Sequence, residues 1–280
     1  MGLSEAAHML SYSKIINRLN SHYRTKFLFK AIVSSIIRVL IFNKGIAKKI
    51  GSKKVILDCY FAFSDYESFG DGHNNGFNKL LEISQDKRVV LDVGAHIGLC
   101  AIPLSSAIAA GGKVYAFEPS AANLRFLKRN IAYNDIDNIE VSPYLVGSES
   151  NDAVAFHESR VASAMNSVVA YKTEKLYKVV GKKQISLDDF CSQNNIIPEV
   201  IKIDVEGAEI DVLNGAKKIL KRFKPAIMLS VHPRHLSMMG CSVNELVALI
   251  KNLGYQISDM DGKPTEQLKL AEYILEPLRF

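Results

Sequence analysis

From about residue 54 onward, short continuous apolar runs alternate with stretches in which apolar positions recur every three or four residues. The first pattern reads as strands buried on both faces, the second as amphipathic helices. Val55–Phe63, Arg88–Val93, Lys113–Phe117, Ile139–Leu145, Val200–Asp204 and Ala226–Val231 are the expected main strands. Ala153–His157 and Val179–Ile185 are strand-like within the more polar segment 147–195. Tyr255–Ser258 and Glu272–Leu275 read as a closing pair joined through Asp261-Gly262. Gly70–Gly76 is a loop by composition, and helices are expected over Phe77–Ile83, over Gly98–Ala110 and from Leu187. Ser120 can cap a helix with Leu124, Leu127 and Ile131 on one face and Arg125, Lys128 and Arg129 outside. A single helix ahead of Pro225 would bury Val212, Leu213, Ala216, Ile219 and Leu220. Ser242-Val243-Asn244-Glu245 reads as a capping box for a helix that ends at Gly254. This alternation implies right-handed βαβ units and a doubly wound, mostly parallel α/β sheet.

Before residue 54 the pattern changes. Phe27–Phe42 is apolar apart from Lys30, Arg38 and two serines, too short and too charged to span a bilayer. It begins too far into the chain, and lacks the small-residue cleavage site, for a secretory signal. Lys30, Ser34 and Arg38 recur at helical spacing, so a helix here would carry one polar stripe and a broad apolar face docked on the main domain. Residues 1–54 hold 11 Lys/Arg against the single acid Glu5, a local charge of +10 that leaves −4 for residues 55–280. A uniformly basic nucleic-acid binder would not be built this way, whereas a basic amphipathic helix can rest on an anionic membrane. The expected organisation is a basic helical extension over residues 1–53 and one α/β domain over 54–280. The 48% apolar content suffices for a packed core. Cys59, Cys100, Cys191 and Cys241 form no CxxC pair, which argues for reduced thiols in a cytoplasmic protein.

Ligands of a doubly wound sheet gather beyond the carboxyl ends of its strands. The first such end is Leu91-Asp92-Val93-Gly94-Ala95-His96-Ile97-Gly98. Measured against the dinucleotide pattern G-x-G-x-x-G, the third and sixth positions from Gly94 are His96 and Leu99, so only one glycine matches. The Asp92 carboxylate beside the turn would repel a phosphate and attract an ammonium. At the next strand end Glu118 precedes Pro119, which holds it out of a helix. An acid there can accept hydrogen bonds from a ribose diol. Together the two tips suit a nucleoside with a cationic tail, and S-adenosylmethionine has that composition.

These motifs recur in an ordered series: Leu91–Gly98, then Tyr115-Ala116-Phe117-Glu118-Pro119, then Ser186-Leu187-Asp188-Asp189-Phe190, then Ile203-Asp204-Val205-Glu206-Gly207-Ala208-Glu209 with Val212–Ala216. The series resembles the FkbM family of S-adenosylmethionine-dependent methyltransferases over about residues 60–260. The resemblance implies the Rossmann-like fold of class I methyltransferases, with a seven-stranded sheet. It implies that Asp92, Gly94, Ala95 and Gly98 bracket the methionine part of S-adenosyl-L-methionine and that Glu118 holds its ribose. Adenine is then expected near Leu145-Val146, with Val146 as the cofactor contact and a backbone or Ser148 polar partner. Pro103 fits the helix after the glycine turn only in its first turn.

A second constellation lies at the fourth strand end, where Asp204, Glu206 and Glu209 cluster beside His232, itself held extended by Pro233. Methyl transfer is an in-line displacement whose main demand is alignment. A hydroxyl acceptor is a weak nucleophile, and a base raises its reactivity by about 10²–10⁴-fold. Asp204 and His232 are the candidate bases, with Glu206 as orienter. A divalent metal on Asp204, Glu206 and Glu209 is the lesser alternative. Upstream, Phe69 can face a sulfonium and Glu67 an ammonium, although packing of Tyr66 and Phe69 explains them more simply; the loop Ser159–Ser167 could cover an acceptor. The expected activity is O-methylation of a glycan, glycolipid or secondary metabolite. Its rivals are a nicotinamide-dependent oxidoreductase and a non-catalytic membrane-associated module of the same fold.

Overall fold

The computed structural model describes residues 31–71, 74–159 and 177–278. The chain forms two compact units, Met1–Ala47 with Leu57–Ser64 and Lys48–Ile56 with Asp65–Phe280. The grouping differs from a simple cut at residue 53, because Asp58 is tied to the N-terminal unit. Its carboxylate is fully buried, and both of its oxygens accept from Nη2 of Arg38, at 2.7 and 2.9 Å.

Within the N-terminal unit that pair turns the polar stripe of the first helix inward. Residues 31–40 are helical, but Ser34 is buried and Arg38 turns toward Asp58, while Ile32, Ile36, Val39, Leu40 and Phe42 are exposed. A buried carboxylate needs a cation more than the helix needs to bury one apolar stripe. Lys30 and residues 27–29 lie outside the described residues. Asp58 also ends the strand expected over Val55–Phe63. Its side chain accepts a hydrogen bond from the Tyr60 backbone N–H and opens a 3-10 turn at Cys59–Phe61.

In chain order the described strands are β1 (Ile46–Ile50), β2 (Lys53–Leu57), β3 (Val89–Val93), β4 (Lys113–Phe117), β5 (Ile139–Ser142), β6 (Leu145–Val146), β7 (Asn151–Ser159), β8 (Tyr177–Ile185), β9 (Val200–Ile203), β10 (Ala226–Val231), β11 (Tyr255–Ser258) and β12 (Ala271–Pro277). The central sheet has the order β5-β4-β3-β9-β10-β12-β11. Its first five strands are parallel, and β12 runs antiparallel to both β10 and β11. This is the seven-stranded, doubly wound sheet. Val90, Ala116, Val200 and Met228 face one core, and Leu91, Phe117, Ile201 and Leu229 the other, so both faces are dry. The expected strand Ile139–Leu145 is split at Pro143, which has no N–H to donate. Leu145-Val146 pairs instead with β8 in a separate three-stranded sheet, β6-β8-β7.

The described helices past residue 75 are α1 (Gly76–Ser84), α2 (Ala101–Ala107), α3 (Ala121–Tyr133), α4 (Leu187–Asn194), α5 (Glu209–Asn214), α6 (Lys217–Phe223), α7 (Pro233–Met238) and α8 (Val243–Asn252). Pro103 lies in the first turn of α2, where its missing N–H costs nothing. Ser120, Ser186 and Ser242 cap α3, α4 and α8, the last with the full capping box. On α3 the buried positions are Asn123, Phe126, Leu127 and Asn130, so the expected apolar face is shifted. Asn130 is tolerated there because its amide donates to the Ile97 carbonyl at 2.9 Å. The single helix expected before Pro225 is two. At Gly215 a Cβ would stand 2.0 Å from the Gly147 carbonyl oxygen. The Asp188 carboxylate restarts the chain as α6 by accepting from the Lys218 and Ile219 amides.

Candidate active site

Beyond the carboxyl ends of β3, β4, β9 and β10 lies a cavity of about 850 Å³. Its floor is the glycine turn after β3. The Gly94 and Ala95 amides both donate to the Phe117 carbonyl, which ties this turn to the tip of β4. Gly94 has φ +87°, and a Cβ on it would meet the Asp204 carbonyl oxygen at 1.9 Å. The two strand tips approach this closely only because the position is glycine.

Glu118 stands at the tip of β4, almost wholly buried, yet on the cavity wall. One carboxylate oxygen accepts from the His96 amide at 2.9 Å and the other from the Ser120 amide at 2.8 Å. Burial raises its carboxyl pKa to about 7 against these hydrogen bonds. His96 also lines the cavity. Burial lowers its ring to about 4, so it is neutral, and its Nε2 has no hydrogen-bond partner.

His232 stands at the N-cap position of the short helix α7, with Pro233 in that helix's first turn. Its Nδ1 is 2.8 Å from Oε1 of the fully buried Glu209. Its Nε2 is 3.7 Å from both Asp204 Oδ1 and Glu206 Oε1. His235 stacks on His232 at 5.7 Å and reaches Glu206 Oε2 at 2.8 Å. Burial alone would lower the His232 pKa, but Glu209, Glu206 and Asp204 together raise it to about 9. Burial raises the Glu206 carboxyl to about 7. Glu206 also holds a left-handed backbone (φ +54°), a strained conformation of the kind that clusters at functional sites.

Of the residues expected from sequence, Gly94, Ala95, Glu118, Val146, Asp204, Glu206 and His232 all line this cavity. Asp92 and Gly98 stand behind its wall. Asp92 is fully buried, 3.2 Å from Lys202 Nζ, so its charge is offset and does not by itself repel a phosphate. Gly98 fits beneath the turn against Ile102 and Leu127. Leu145 lines the cavity with Val146, joined by Tyr144 and Phe156, and Ser148 does not. Phe69 packs edge-on with Tyr66 and Phe77 and reaches the cavity, whereas Glu67 does not. Of the loop Ser159–Ser167, all but Ser159 lies outside the described residues.

Glu209, not Glu206, is the carboxylate within hydrogen-bonding distance of His232 Nδ1. Among the described residues, the three groups close enough to share a cation are Asp204, Glu206 and His232, whereas Glu209 lies against the other nitrogen of the imidazole. His235 and Lys202 are the members not anticipated. The spacing His232-x-x-His235, which puts both rings on one side of a helix turn, is the signal that could have found the first.

The geometry suits a ligand with a hydrogen-bonding diol and a positive charge. The buried Glu118 carboxylate, the partnerless His96 nitrogen and the Asp204 and Glu206 carboxylates all face this one cavity.

The sequence profile described as the methyltransferase FkbM domain matches residues 92–257, more than half of the chain. The hexuronic acid methyltransferase AglP of Haloferax volcanii is 31% identical over 152 residues, covering 54% of this chain and 59% of that protein. The chain therefore spans about three-fifths of that relative's length. Among solved structures, the methyltransferase FkbM from Methylobacillus flagellatus KT aligns at a TM-score of 0.46 and 21% identity, over 69% of this chain and 44% of that one. SMU.1697c from Streptococcus mutans, in complex with SAH, aligns at 0.41 and 12% identity, over 72% and 94%.

Proposed function

The chain belongs to the FkbM methyltransferase family, and from that premise we propose that it transfers the methyl group of S-adenosylmethionine to a hydroxyl of a glycan, glycolipid or secondary metabolite. The observation that carries the hydroxyl reading is His232, held by Glu209 on one nitrogen and facing Asp204 and Glu206 with the other. The sugar-directed relative supports the acceptor class. When bound, the donor supplies an electrophilic methyl on a sulfonium that departs as a neutral thioether. Everything else falls to the chain. Glu118 and the Gly94 turn orient the donor, and Leu145, Val146 and Phe156 keep one end of the cavity apolar. Neutral His232 donates its Nδ1 proton to Glu209, leaving Nε2 as the acceptor of the hydroxyl proton. The imidazolium so formed rests among three carboxylates, which stabilise it.

The test is labelled donor with a panel of neutral-sugar, hexuronic-acid and lipid-linked glycans. Incorporation that survives mild alkali is expected, because a methyl ether resists the hydrolysis that cleaves a methyl ester. Label that is wholly alkali-labile identifies a carboxylate acceptor, which needs no base, and removes the role of His232. Turnover that depends on added Mg²⁺ and stops with a chelator replaces the base with a metal.

We propose in addition that the N-terminal unit rests on anionic membrane. The support is the exposed apolar face of residues 31–42, with Phe63 also exposed, within a segment carrying +10 over residues 1–54. Full-length protein should float with phosphatidylserine vesicles at low salt and not with phosphatidylcholine alone. Ile36→Glu with Leu40→Glu should abolish flotation. Unchanged flotation of that variant, or none by the wild type, overturns the idea.

A further inference from the structure

Among the described residues Lys202 is the one buried lysine, and neither proton transfer nor donor binding as described above uses it. It stands on β9 opposite Asp92 of β3 in register. The ladder continues one bond further, from the Asp204 amide to the Val93 carbonyl, so Asp204 projects from the same face two residues on. Lys202 Nζ lies 3.2 Å from Asp92 Oδ1 and 3.5 Å from Asp204 Oδ2. The other oxygen of Asp204, Oδ1, is the one 3.7 Å from His232 Nε2. Each oxygen of Asp204 thus has its own neighbour.

A purely structural role leaves this arrangement unexplained. Burying an ion pair inside a sheet is no better for stability than packing apolar residues of similar volume. Asp204, a third exposed, could turn to water instead. Burial works against the ammonium, but the two carboxylates more than offset it and keep Lys202 protonated. One ammonium therefore serves two carboxylates, one sealed behind the cavity wall and one at its surface.

We infer that Lys202 is a positioning residue: fixed from behind by Asp92, it holds Oδ2 of Asp204 so that Oδ1 stays beside His232 at the point of methyl transfer. Asp92 is then the anchor of Lys202 rather than a contact to the donor. The inference rests on the methyl-transfer reading and deepens it, because it separates holding the reacting groups from binding the donor.

The experiment compares Lys202→Met, Asp92→Asn with Lys202→Met, Asp204→Asn, and Asp204→Asn with Lys202→Met. Lys202→Met alone strands Asp92 and should lower the melting temperature. The Asp92→Asn, Lys202→Met pair removes both buried charges and should recover much of that loss. It should bind S-adenosylhomocysteine close to wild type by calorimetry, yet turn over roughly a hundredfold more slowly, as expected for a misplaced reacting group. Adding Lys202→Met to Asp204→Asn should cost little further in kcat, since both act through one carboxylate. Recovery of kcat together with melting temperature in the charge-neutral pair would make Lys202 a mere counter-ion and overturn the inference. Multiplying losses in the Asp204 pair would do the same. Failure of the methyl-transfer reading shows elsewhere, as wild-type protein that binds no S-adenosylhomocysteine whatever stands at position 202.

Discussion

His232→Ala should slow methyl transfer by about 10²–10⁴-fold while leaving S-adenosylhomocysteine bound. The loss is confined to turnover because the imidazole contacts Asp204, Glu206 and Glu209 rather than Glu118, the group assigned to the donor. The pH profile gives the sharper form of the test. Burial opposes the charged ring, yet the three neighbouring carboxylates lift its pKa to about 9. The base is the neutral form, so kcat/KM should climb with pH and level off only above about 9. The groups that set this midpoint are Asp204 after β9, Glu206 in the turn before α5 and Glu209 at the first residue of α5, while His235 on α7 stacks on the same ring. Glu209→Gln removes the charge on Nδ1, so the inflection should move down. Its plateau should also fall, because the ring loses both orientation and basicity. A profile flat from pH 7 to 9, with His232→Ala fully active and Asp204→Asn inactive, assigns the proton to Asp204 instead.

Much of this site was legible in the sequence because its signals are local. Gly94 marks the sharp turn, Pro119 and Pro233 pin Glu118 and His232 at strand tips, and Ser120 and Ser242 announce helix starts. Each of these acts within a few residues, which is the range over which a chain can be read without its fold. What escaped is what depends on pairing between distant positions. Arg38 meets Asp58, Lys202 meets Asp92, and Glu209 meets His232 across 20, 110 and 23 residues. Amphipathic spacing placed the polar stripe Ser34–Arg38 outward because nothing in residues 31–42 reveals the buried carboxylate that draws it in. The break between α5 and α6 was hidden for the same reason. It is imposed by the Gly147 carbonyl and the Asp188 side chain, and neither neighbours it in sequence.

Glu118→Ala should weaken S-adenosylhomocysteine binding by roughly a hundredfold or more and lower the melting temperature as well. Two losses coincide. The carboxylate is placed for charge-assisted hydrogen bonds to a ribose diol, and such bonds contribute about 1.5–3 kcal/mol. Its removal also strands the His96 and Ser120 amides, each worth about 1–3 kcal/mol when buried without a partner. Glu118→Gln should retain more of the fold than Ala but still bind weakly, since its NH₂ must face one of those two donors. The pH dependence follows from the carboxyl being raised to about 7 by burial. Below pH 7 the free protein holds that proton, and diol donors favour the ionised form. Affinity should therefore rise with pH up to about 7 and then level off, with protons released on binding below that point. Calorimetry in buffers of different ionisation enthalpy measures the release directly. Binding with no proton release at pH 6, and unaltered affinity in Glu118→Gln, would place the ribose elsewhere in the cavity and leave Glu118 only the task of pinning the His96 turn to the tip of β4.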